Sequence, residues 1–347
     1  MMKIGVTIGY SGSTFSVPPD ELREIESLGY DSVWTSEAYG SDALTPAAWA
    51  LAHTSRITVG TAIVQMGART PTAAAMAAMT LQALSGERFV LGIGPSGPQV
   101  IEGWYGVPYG KPLTRTREYI AIVRKILARE APLTHEGEHY AIPATGPGTT
   151  GLGRPLKSIL HARSRLKIFT GAFTPAGVRI AAELADGFFP VFMNPERFDL
   201  FEGPLKDGFA AAGGGKSLAD FEIAPFVPVH VGGDLEACRL EVKRHLALYV
   251  GGMGARSKNF YNDYAVRLGY PDAAAEVQDL FLGGKREEAA AAIPDSFVDD
   301  IALVGPRERI RERLAVWKDA AANGHVSTLI ANRSDAEALR VLAEEAL

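Results

Sequence analysis

An acidic residue, Glu37, lies just past the end of a predicted strand, Asp31–Thr35, and is a candidate for catalysis. A carboxylate at the carboxyl end of a strand can transfer a proton or bind a ligand at the face where parallel strands place their loops. The residues beside Glu37 in the sequence are small, so we expect them to leave the carboxylate uncovered. The alternative is an ion-paired or hydrogen-bonded carboxylate at the rim of the sheet.

A glycine-rich segment, Gly92–Gly97, follows another apolar run and matches the spacing G-x-G-x-x-G. A dinucleotide-binding motif of this kind needs a helix to open at once and an acidic residue about 20 positions further on. Pro95 and Pro98 are expected to keep this segment from opening a helix, and no such acidic residue ends a second strand. We therefore expect bare backbone that lets an anionic or planar ligand approach closely, or else a purely structural turn.

A third segment, His135–His139, matches the zinc-protease spacing H-E-x-x-H, which binds a metal only when it is helical. Pro132 precedes the segment and Gly137 interrupts it, so the sequence predicts a turn between two extended segments and no metal site. The other histidines show no pairing pattern and are predicted to be structural: His53, His161, His230, His245 and His325. Three aromatic residues either stack on a ring system or pack a lid: Tyr39, Trp104 and Tyr105.

The chain alternates short apolar runs with helical patterns, which predicts strands and helices in tandem. The predicted strands are Lys3–Gly9, Asp31–Thr35, Ile57–Thr61, Arg88–Ile93, Leu166–Thr170, Gly187–Val191, Glu222–Val231 and Val326–Ile330. The predicted helices are 18–28, Pro46–His53, Pro71–Leu84, Thr114–Arg129, Pro175–Ala185, Asp234–Tyr249, Pro306–Asn323 and Ser334–Glu345. Eight such alternations predict an α/β fold, a (β/α)8 or TIM barrel, in one domain over residues 1–347. In that fold the loops after the strands form the active face.

Two stretches are too long for ordinary connections between a helix and a strand. The first, at about residues 131–165, is rich in glycine and proline, and loops of this length are usually lids or mobile covers. The second, at about residues 251–304, holds short helical patterns separated by glycine and proline. From their length we expect both insertions to crown or flank the C-terminal face of the barrel.

The composition is that of a soluble globular protein with a large core, since 47% of its 347 residues are hydrophobic and 22% are charged. A net charge of −5 and the lack of a Lys/Arg run argue against nucleic-acid and anionic-membrane partners. Cys238 is the only cysteine, which excludes an intramolecular disulfide and a thiolate metal cluster. The sequence has neither a membrane-spanning apolar stretch nor a signal-peptide pattern, so we expect a cytoplasmic location.

Three segments resemble the luciferase-like monooxygenase superfamily: Leu28–Glu37, Arg56–Ile63 and Glu87–Gly94. Within it they are similar to the coenzyme F420-dependent oxidoreductases, a group that includes methylenetetrahydromethanopterin reductase. Two further segments, Glu102–Pro108 and Ala181–Gly187, support the resemblance. The resemblance covers nearly the whole chain and implies a barrel that holds a flavin or deazaflavin across its strand ends.

The resemblance also implies which residues contact the cofactor. The family has a non-prolyl cis peptide bond in a bulge after strand three, and the matching bond here is Ala62–Ile63. Backbone that holds the cofactor phosphate corresponds to two groups of residues: Gly94, Pro95, Ser96 and Gly97, and then Gly171, Ala172 and Phe173. Phe173 is larger than the small residues that the family has at this position. Relatives that act on sugar phosphates or alcohols have a histidine where Glu37 stands, which argues against a sugar-phosphate substrate.

The implied activity is hydride transfer between coenzyme F420 and a small unsaturated, carbonyl or imine compound, with Glu37 beside the cofactor as the proton handler. A deazaflavin exchanges hydride and reacts poorly with oxygen, and the barrel orients it and excludes water. Two alternatives stay open: a monooxygenase that uses reduced FMN and molecular oxygen, and a non-catalytic flavin-binding barrel. The resemblance further implies a homodimer.

Overall fold

A computed structural model describes residues 2–9, 12–162, 166–333 and 336–347. The strands are β1 (Lys3–Ile8), β2 (Ser32–Thr35), β3 (Thr58–Thr61), β4 (Val64–Gln65), β5 (Phe89–Gly94), β6 (His135–Glu136), β7 (Ala141–Ile142), β8 (Ile168–Gly171), β9 (Gly187–Phe189), β10 (Glu222–Ile223), β11 (Phe226–Val227), β12 (Val229–Val231), β13 (Leu303–Gly305) and β14 (Thr328–Ala331). The helices are α1 (Pro19–Ser27), α2 (Leu44–His53), α3 (Pro71–Ser85), α4 (Pro98–Ile101), α5 (Pro112–Ala128), α6 (Pro175–Leu184), α7 (Asp199–Ala212), α8 (Leu235–Ala247), α9 (Phe260–Leu268), α10 (Pro271–Leu282), α11 (Arg286–Ala291), α12 (Asp295–Ile301), α13 (Arg307–Ala322) and α14 (Ala336–Ala346). A 3-10 turn at Leu218–Asp220 and a π-helical turn at Leu248–Gly252 complete the described elements. The predicted first insertion ends at Arg165 and the predicted last helix begins at Ser334, and both positions lie outside the described residues.

Parallel strands form the barrel. They neighbour one another in the order β10-β9-β8-β5-β3-β2-β1-β14-β11, and every pair along this path is parallel. Only Ala224 and Pro225 separate β10 from β11, so both ends of the order lie on one short segment of the chain. In the described part of the chain the sheet therefore curls round through eight strand positions, with β4 as an extra strand beside β5. The predicted (β/α)8 barrel is confirmed, and none of the described helices is both long enough and apolar enough to span a bilayer.

Large aromatic side chains fill the inside of the barrel. The ring centroid of Trp34 on β2 lies 5.8 Å from that of Phe169 and 5.1 Å from that of Phe189. The indole occupies the space where a side chain at Gly60 would stand, so this position on β3 requires glycine. The indole N–H donates to Ser32 Oγ at 2.8 Å, which satisfies the buried polar atom. This packed interior leaves the loops at the strand ends as the surface for a ligand.

Strand seven of the barrel is shorter than predicted. Pro225 and Pro228 lack the N–H group that a strand ladder needs, and they divide the predicted run Glu222–Val231 into three short strands. The last of these, β12, leaves the barrel and pairs with β13. The sequence does not predict β13, which lies at the end of the second insertion.

Two helices also differ from the sequence prediction. The sequence does not predict α7, because Gly203, Pro204 and Gly208 within it obscure the helical pattern. The expectation that Pro98 keeps the glycine-rich segment from opening a helix is wrong, since α4 begins at Pro98. Proline at the first helical position is tolerated because its missing N–H group has no intrahelical partner there.

The two insertions have different structures. The first contains a hairpin of β6 and β7, which confirms the predicted turn between two extended segments. The Glu118 carboxylate on α5 accepts hydrogen bonds from the backbone N–H groups of residues 138–140 and so holds this turn against the barrel. The second insertion consists of the π-helical turn followed by α9 to α12, in agreement with its predicted short helices.

Candidate active site

The predicted site residues lie on four neighbouring strands of the barrel. They are Glu37 after β2; Ala62 and Ile63 after β3; Gly94, Pro95, Ser96 and Gly97 at the end of β5; and Gly171, Ala172 and Phe173 at the end of β8. These four strands are consecutive in the sheet and parallel, so their C-terminal ends lie at the same edge. The structure therefore brings the four groups together on one half of the barrel mouth, by which we mean the C-terminal ends of its strands.

Glu37 is buried in an ion pair. Its side chain is 2% exposed, and Arg69 Nη1 donates to both carboxylate oxygens at 2.7 Å. The backbone N–H groups of Ala43 and Gln65 donate to the same carboxylate at 3.0 and 2.9 Å. The expectation that small neighbours leave Glu37 uncovered is wrong, and the alternative of an ion-paired carboxylate describes the geometry. These bonds connect the loop after β2 both with strand β4 and with the loop before α3.

Sequence reasoning misses two partners of Glu37, namely Gln65 and Arg69. Arg69 is the one charged residue in the range 57–86, and this isolation is a signal that could have identified it. Its side chain is 24% exposed, at the edge of the mouth. Gln65 Nε2 donates to Ser96 Oγ at 2.9 Å, so the hydrogen-bond network of Glu37 reaches the glycine-rich loop.

The peptide bond between Ala62 and Ile63 is cis, as the family resemblance implies. Both residues are half-buried and pack against the aromatic interior of the barrel. The Ile63 side chain fills the space beside Gly94, where an added Cβ would lie 2.6 Å from Ile63 Cδ1. Ile63 Cγ2 lies 3.8 Å from the equivalent position at Gly171. Ile63 thus forms an apolar floor between β5 and β8, and the two glycines make room for it.

The glycine-rich loop after β5 offers backbone donors to a ligand. The N–H groups of Ser96 and Gly97 donate to no residue in the described part of the chain, and both residues are half-buried. Ser96 has a positive φ of 57°, and the Tyr109 hydroxyl donates to its carbonyl oxygen at 3.0 Å. Unpaired N–H groups on a braced loop suit an anion such as a phosphate.

The loop after β8 also offers donors, at the N-terminus of α6. The N–H groups of Phe173 and Ala176 have no acceptor among the residues described. The Phe173 ring stacks on Tyr261 of α9, with ring centroids 4.8 Å apart. Arg267 Nη1 donates to the Phe173 carbonyl oxygen at 3.2 Å. The bulky side chain that departs from the family pattern therefore packs on the second insertion.

A set of aromatic rings adjoins the loops after β8 and β9. We name this set the ring cluster, and its members are Phe173, Phe192, His245, Tyr249 and Tyr261. Neighbouring rings in it have centroids 4.7 to 6.2 Å apart. Phe173 and Phe192 follow β8 and β9, and the other members come from α8, the π-helical turn and α9. Sequence reasoning predicts that His245 is structural and does not identify the cluster, because its members lie on four separate stretches of the chain.

The sequence leaves two roles possible for three aromatic residues, and these residues differ in their surroundings: Tyr39, Trp104 and Tyr105. The Tyr105 hydroxyl donates to the Ala38 carbonyl oxygen at 3.2 Å, and burial raises the pKa of Tyr105. Tyr39 and Trp104 are 67% and 65% exposed. Tyr105 therefore braces the loop after β2, whereas Tyr39 and Trp104 are accessible to a bound ring system.

Comparison with known proteins agrees with this architecture. A family model described as luciferase-like monooxygenase matches residues 3–324. A Mycobacterium tuberculosis protein provisionally named a coenzyme F420-dependent oxidoreductase is 46% identical over 347 residues, which cover 99% of this chain and 98% of that protein.

Solved structures with the same fold are described with two different cofactors, coenzyme F420 and FMN. The coenzyme F420-dependent tetrahydromethanopterin reductase of Methanopyrus kandleri has a TM-score of 0.79 at 18% identity, covering 99% of this chain and 98% of that one. The oxygenating constituent of 3,6-diketocamphane monooxygenase of Pseudomonas putida, in complex with FMN, has a TM-score of 0.66 at 18% identity. That match covers 99% of this chain and 98% of the monooxygenase chain.

Proposed function

Because this chain belongs to the luciferase-like monooxygenase family, we propose that it is a coenzyme F420-dependent oxidoreductase that transfers a hydride between deazaflavin and a small organic substrate. Its relatives are reductases and monooxygenases, so the chain is an enzyme, an oxidoreductase. The observation that carries the F420 assignment is the 46% identity, over nearly the whole length of both chains, to the M. tuberculosis protein named for F420.

The barrel mouth fits a flat cofactor with an anionic side chain. Ala62 and Ile63 supply a half-buried apolar surface on which a ring system can lie. The free N–H groups at 96–97 and at the N-terminus of α6 would hold a phosphate. When bound, the deazaflavin supplies the hydride chemistry, and the protein residues bind it, orient it and exclude water.

For Glu37 we propose a positioning role in place of the proton transfer that the sequence predicts. Its carboxylate accepts hydrogen bonds from Arg69 and from two backbone N–H groups, so a substrate could reach it only if Arg69 moved. Through Gln65 the carboxylate fixes the loop that carries Ser96. Glu37→Gln separates the two roles: positioning predicts weaker F420 binding together with slower turnover, whereas proton transfer predicts slower turnover with unchanged binding.

The second candidate function is a reduced-FMN monooxygenase, which the FMN-bound structural neighbour favours. The two functions differ in their use of oxygen, so two assays distinguish them. We expect anaerobic oxidation of reduced F420 by a panel of carbonyl, imine and unsaturated acceptors. Oxygen uptake with reduced FMN, in the absence of any F420 turnover, would overturn the F420 assignment. Binding of reduced F420 with no acceptor ever reoxidising it would instead favour a non-catalytic barrel.

We also propose that the chain forms a homodimer through α2 and α3. The two helices contain no Asp, Glu, Lys or Arg. On them Trp49, Met76 and Leu84 are 45%, 64% and 81% exposed. A two-fold symmetric interface places the same patch on both subunits, and an uncharged patch buries no unpaired charge against itself.

A further inference from the structure

Phe192, a member of the ring cluster, lies across the barrel mouth from Glu37. In the closed order of eight strand positions, β9 is opposite β2, and the β10–β11 segment is opposite β3. Phe192 follows β9, and His230 in β12 follows β11. The residues after β9 and β11 therefore face the apolar floor from the far side of the mouth.

His245 is a polar member of the ring cluster. Its ring centroid lies 4.7 Å from that of Tyr249 and 5.8 Å from that of Phe192, so aromatic packing fixes the orientation of the imidazole. The residue is nevertheless exposed. Neither ring nitrogen makes a hydrogen bond within the described ranges of the chain. Both nitrogens of His245 are therefore available to a ligand.

The surroundings of His245 indicate a concave surface. Burial lowers the pKa of His245, and the charge of the nearby His230 lowers it further. A ring that is exposed to solvent and yet surrounded by protein lines a pocket rather than a convex surface. The other ionisable groups within four residues of His245 are Glu241, Lys243, Arg244 and Tyr249, and α9 adds Tyr261, Asp263, Tyr264 and Arg267. Of these, Glu241 and Arg244 pair with each other at 3.2 Å.

We propose that His245 is a catalytic residue that transfers a proton to and from the substrate oxygen. The proposal rests on the proposed function, since it takes reduced deazaflavin as the hydride donor. In the reductive direction a conjugated carbonyl compound gains a hydride at carbon, and the displaced electron pair moves to its oxygen. The imidazolium of His245 donates its proton to that oxygen, and the neutral ring then takes a proton from solvent. In the oxidative direction the neutral ring accepts the hydroxyl proton.

The same cluster indicates the class of substrate. Its other members, Phe173, Phe192, Tyr249 and Tyr261, present uncharged aromatic rings beside the imidazole. Aromatic side chains favour a flat, apolar partner that can stack or meet them edge to face. A flat conjugated carbonyl compound combines such a body with an oxygen that needs a proton. An aryl enone, 4-phenylbut-3-en-2-one, is therefore our probe substrate.

Chemical modification tests the position of His245 without the need for a substrate. Diethyl pyrocarbonate should modify His245 in the apoprotein, and peptide mass spectrometry measures the rate. A saturating ligand leaves only the unbound fraction reactive, so F420 should lower this rate roughly tenfold or more. His161, which is exposed in the first insertion, is the internal control and should react equally with and without F420.

Two results of this experiment overturn the proposal. One is a His245 that does not react in the apoprotein, and the other is a rate that F420 does not change. Failure of the wild-type protein to bind F420 at all is a separate result, because it overturns the proposed function and this inference with it.

Turnover tests the chemical role. With reduced F420 and 4-phenylbut-3-en-2-one, His245→Gln and His245→Asn should lower kcat roughly 100-fold, the contribution typical of general acid catalysis. The Kd for F420 should stay within about twofold of wild type, because the proposed phosphate donors are elsewhere. Wild-type kcat should fall as the pH rises through the pKa of His245, since only the protonated ring donates, and both variants should lose this dependence.

The matched control for turnover is His161→Asn, which should leave kcat and its pH dependence unchanged. Near-wild-type kcat in both His245 variants, with the wild-type pH dependence retained, contradicts the proposal. Circular dichroism of each variant confirms that the comparison is made between folded proteins.

Discussion

Replacing Arg69 by methionine removes the charged partner of a buried carboxylate. In the wild type Arg69 Nη1 donates to both oxygens of Glu37 at 2.7 Å, and the Glu37 side chain is 2% exposed. Methionine keeps the apolar stem of the side chain and offers no donor. The variant therefore leaves Glu37 with its two backbone hydrogen bonds and without its guanidinium partner.

The expected loss in the free energy of unfolding follows from the burial of Arg69 and of Glu37. Removing one partner of a buried ion pair costs about 3–5 kcal/mol. Arg69 is 24% exposed and Glu37 retains two backbone hydrogen bonds, so solvent and these bonds offset part of the loss. We expect the free energy of unfolding to fall by about 2–3 kcal/mol. With an unfolding entropy of about 2.1 cal/mol/K per residue, the melting temperature should fall by roughly 3–4 °C.

Urea unfolding followed by circular dichroism measures the change, and Arg340→Met is the matched control. Arg340 pairs with Glu24 at the surface, where the two side chains are 55% and 41% exposed. Exposed pairs contribute about 0–1 kcal/mol, so the control should unfold close to wild type. F420 affinity should fall only in Arg69→Met, because Gln65 links the Glu37 network to the glycine-rich loop.

Two results would refute this reasoning. The first is an equal loss of stability in Arg69→Met and Arg340→Met, which would mean that burial of the pair does not matter. The second is an Arg69→Met variant with both wild-type stability and wild-type F420 affinity. A double-mutant cycle with Glu37→Gln measures the coupling directly, and a coupling energy near zero would point to the same conclusion.

Three further predictions concern the floor, a surface carboxylate and the dimer. Gly94→Ala places a Cβ 2.6 Å from Ile63 Cδ1, so we expect fluorescence titration to show roughly tenfold weaker F420 binding in a folded variant; unchanged affinity removes Gly94 from the site. Burial opposes the ionisation of Glu26, but hydrogen bonds from the backbone N–H groups of residues 55–57 outweigh it and lower the pKa of Glu26 to about 2. Ionised Glu26 therefore stabilises the fold above its unfolded pKa of about 4.5, and this stabilisation is lost as the pH falls towards 2. The difference in melting temperature between wild type and Glu26→Gln should accordingly shrink below pH 5 or so, and a pH-independent difference contradicts the assignment. Light scattering should give wild type twice the chain mass of 37.0 kDa and Met76→Glu a single chain mass, and a monomeric wild type contradicts the dimer.

The barrel could be predicted from the sequence because each of its strands is a local apolar run followed by a helical pattern. The strand β5, Phe89–Gly94, is buried at every position, as a parallel strand covered on both faces must be. Its predicted bounds, Arg88–Ile93, differ by one residue at each end. The seventh strand was harder to predict, because Pro225 and Pro228 divide it between the barrel and a pairing with the distant β13.

The site could be predicted only in part, because its backbone has a local signature and its side-chain network does not. Glycine spacing and the family resemblance predict that the loops at 94–97 and 171–173 belong to the site. The bonds from Arg69 to Glu37 and from Gln65 to Ser96 span 32 and 31 positions. No local pattern encodes such contacts, since only the curl of the sheet brings those loops together. The ring cluster around His245 has no local signature either, because an isolated histidine on a helix gives no sign of the rings that the fold places around it.

The claim on which the whole account depends is that the barrel mouth binds a deazaflavin. An equilibrium titration of the purified apoprotein with oxidised F420 and, in parallel, with FMN measures this directly through the fluorescence of each compound. We expect a Kd for F420 of roughly 1 μM or lower and binding of FMN that is about 100-fold weaker, a difference of about 2.7 kcal/mol. Tight FMN binding without F420 binding, or binding of neither compound, would contradict the account.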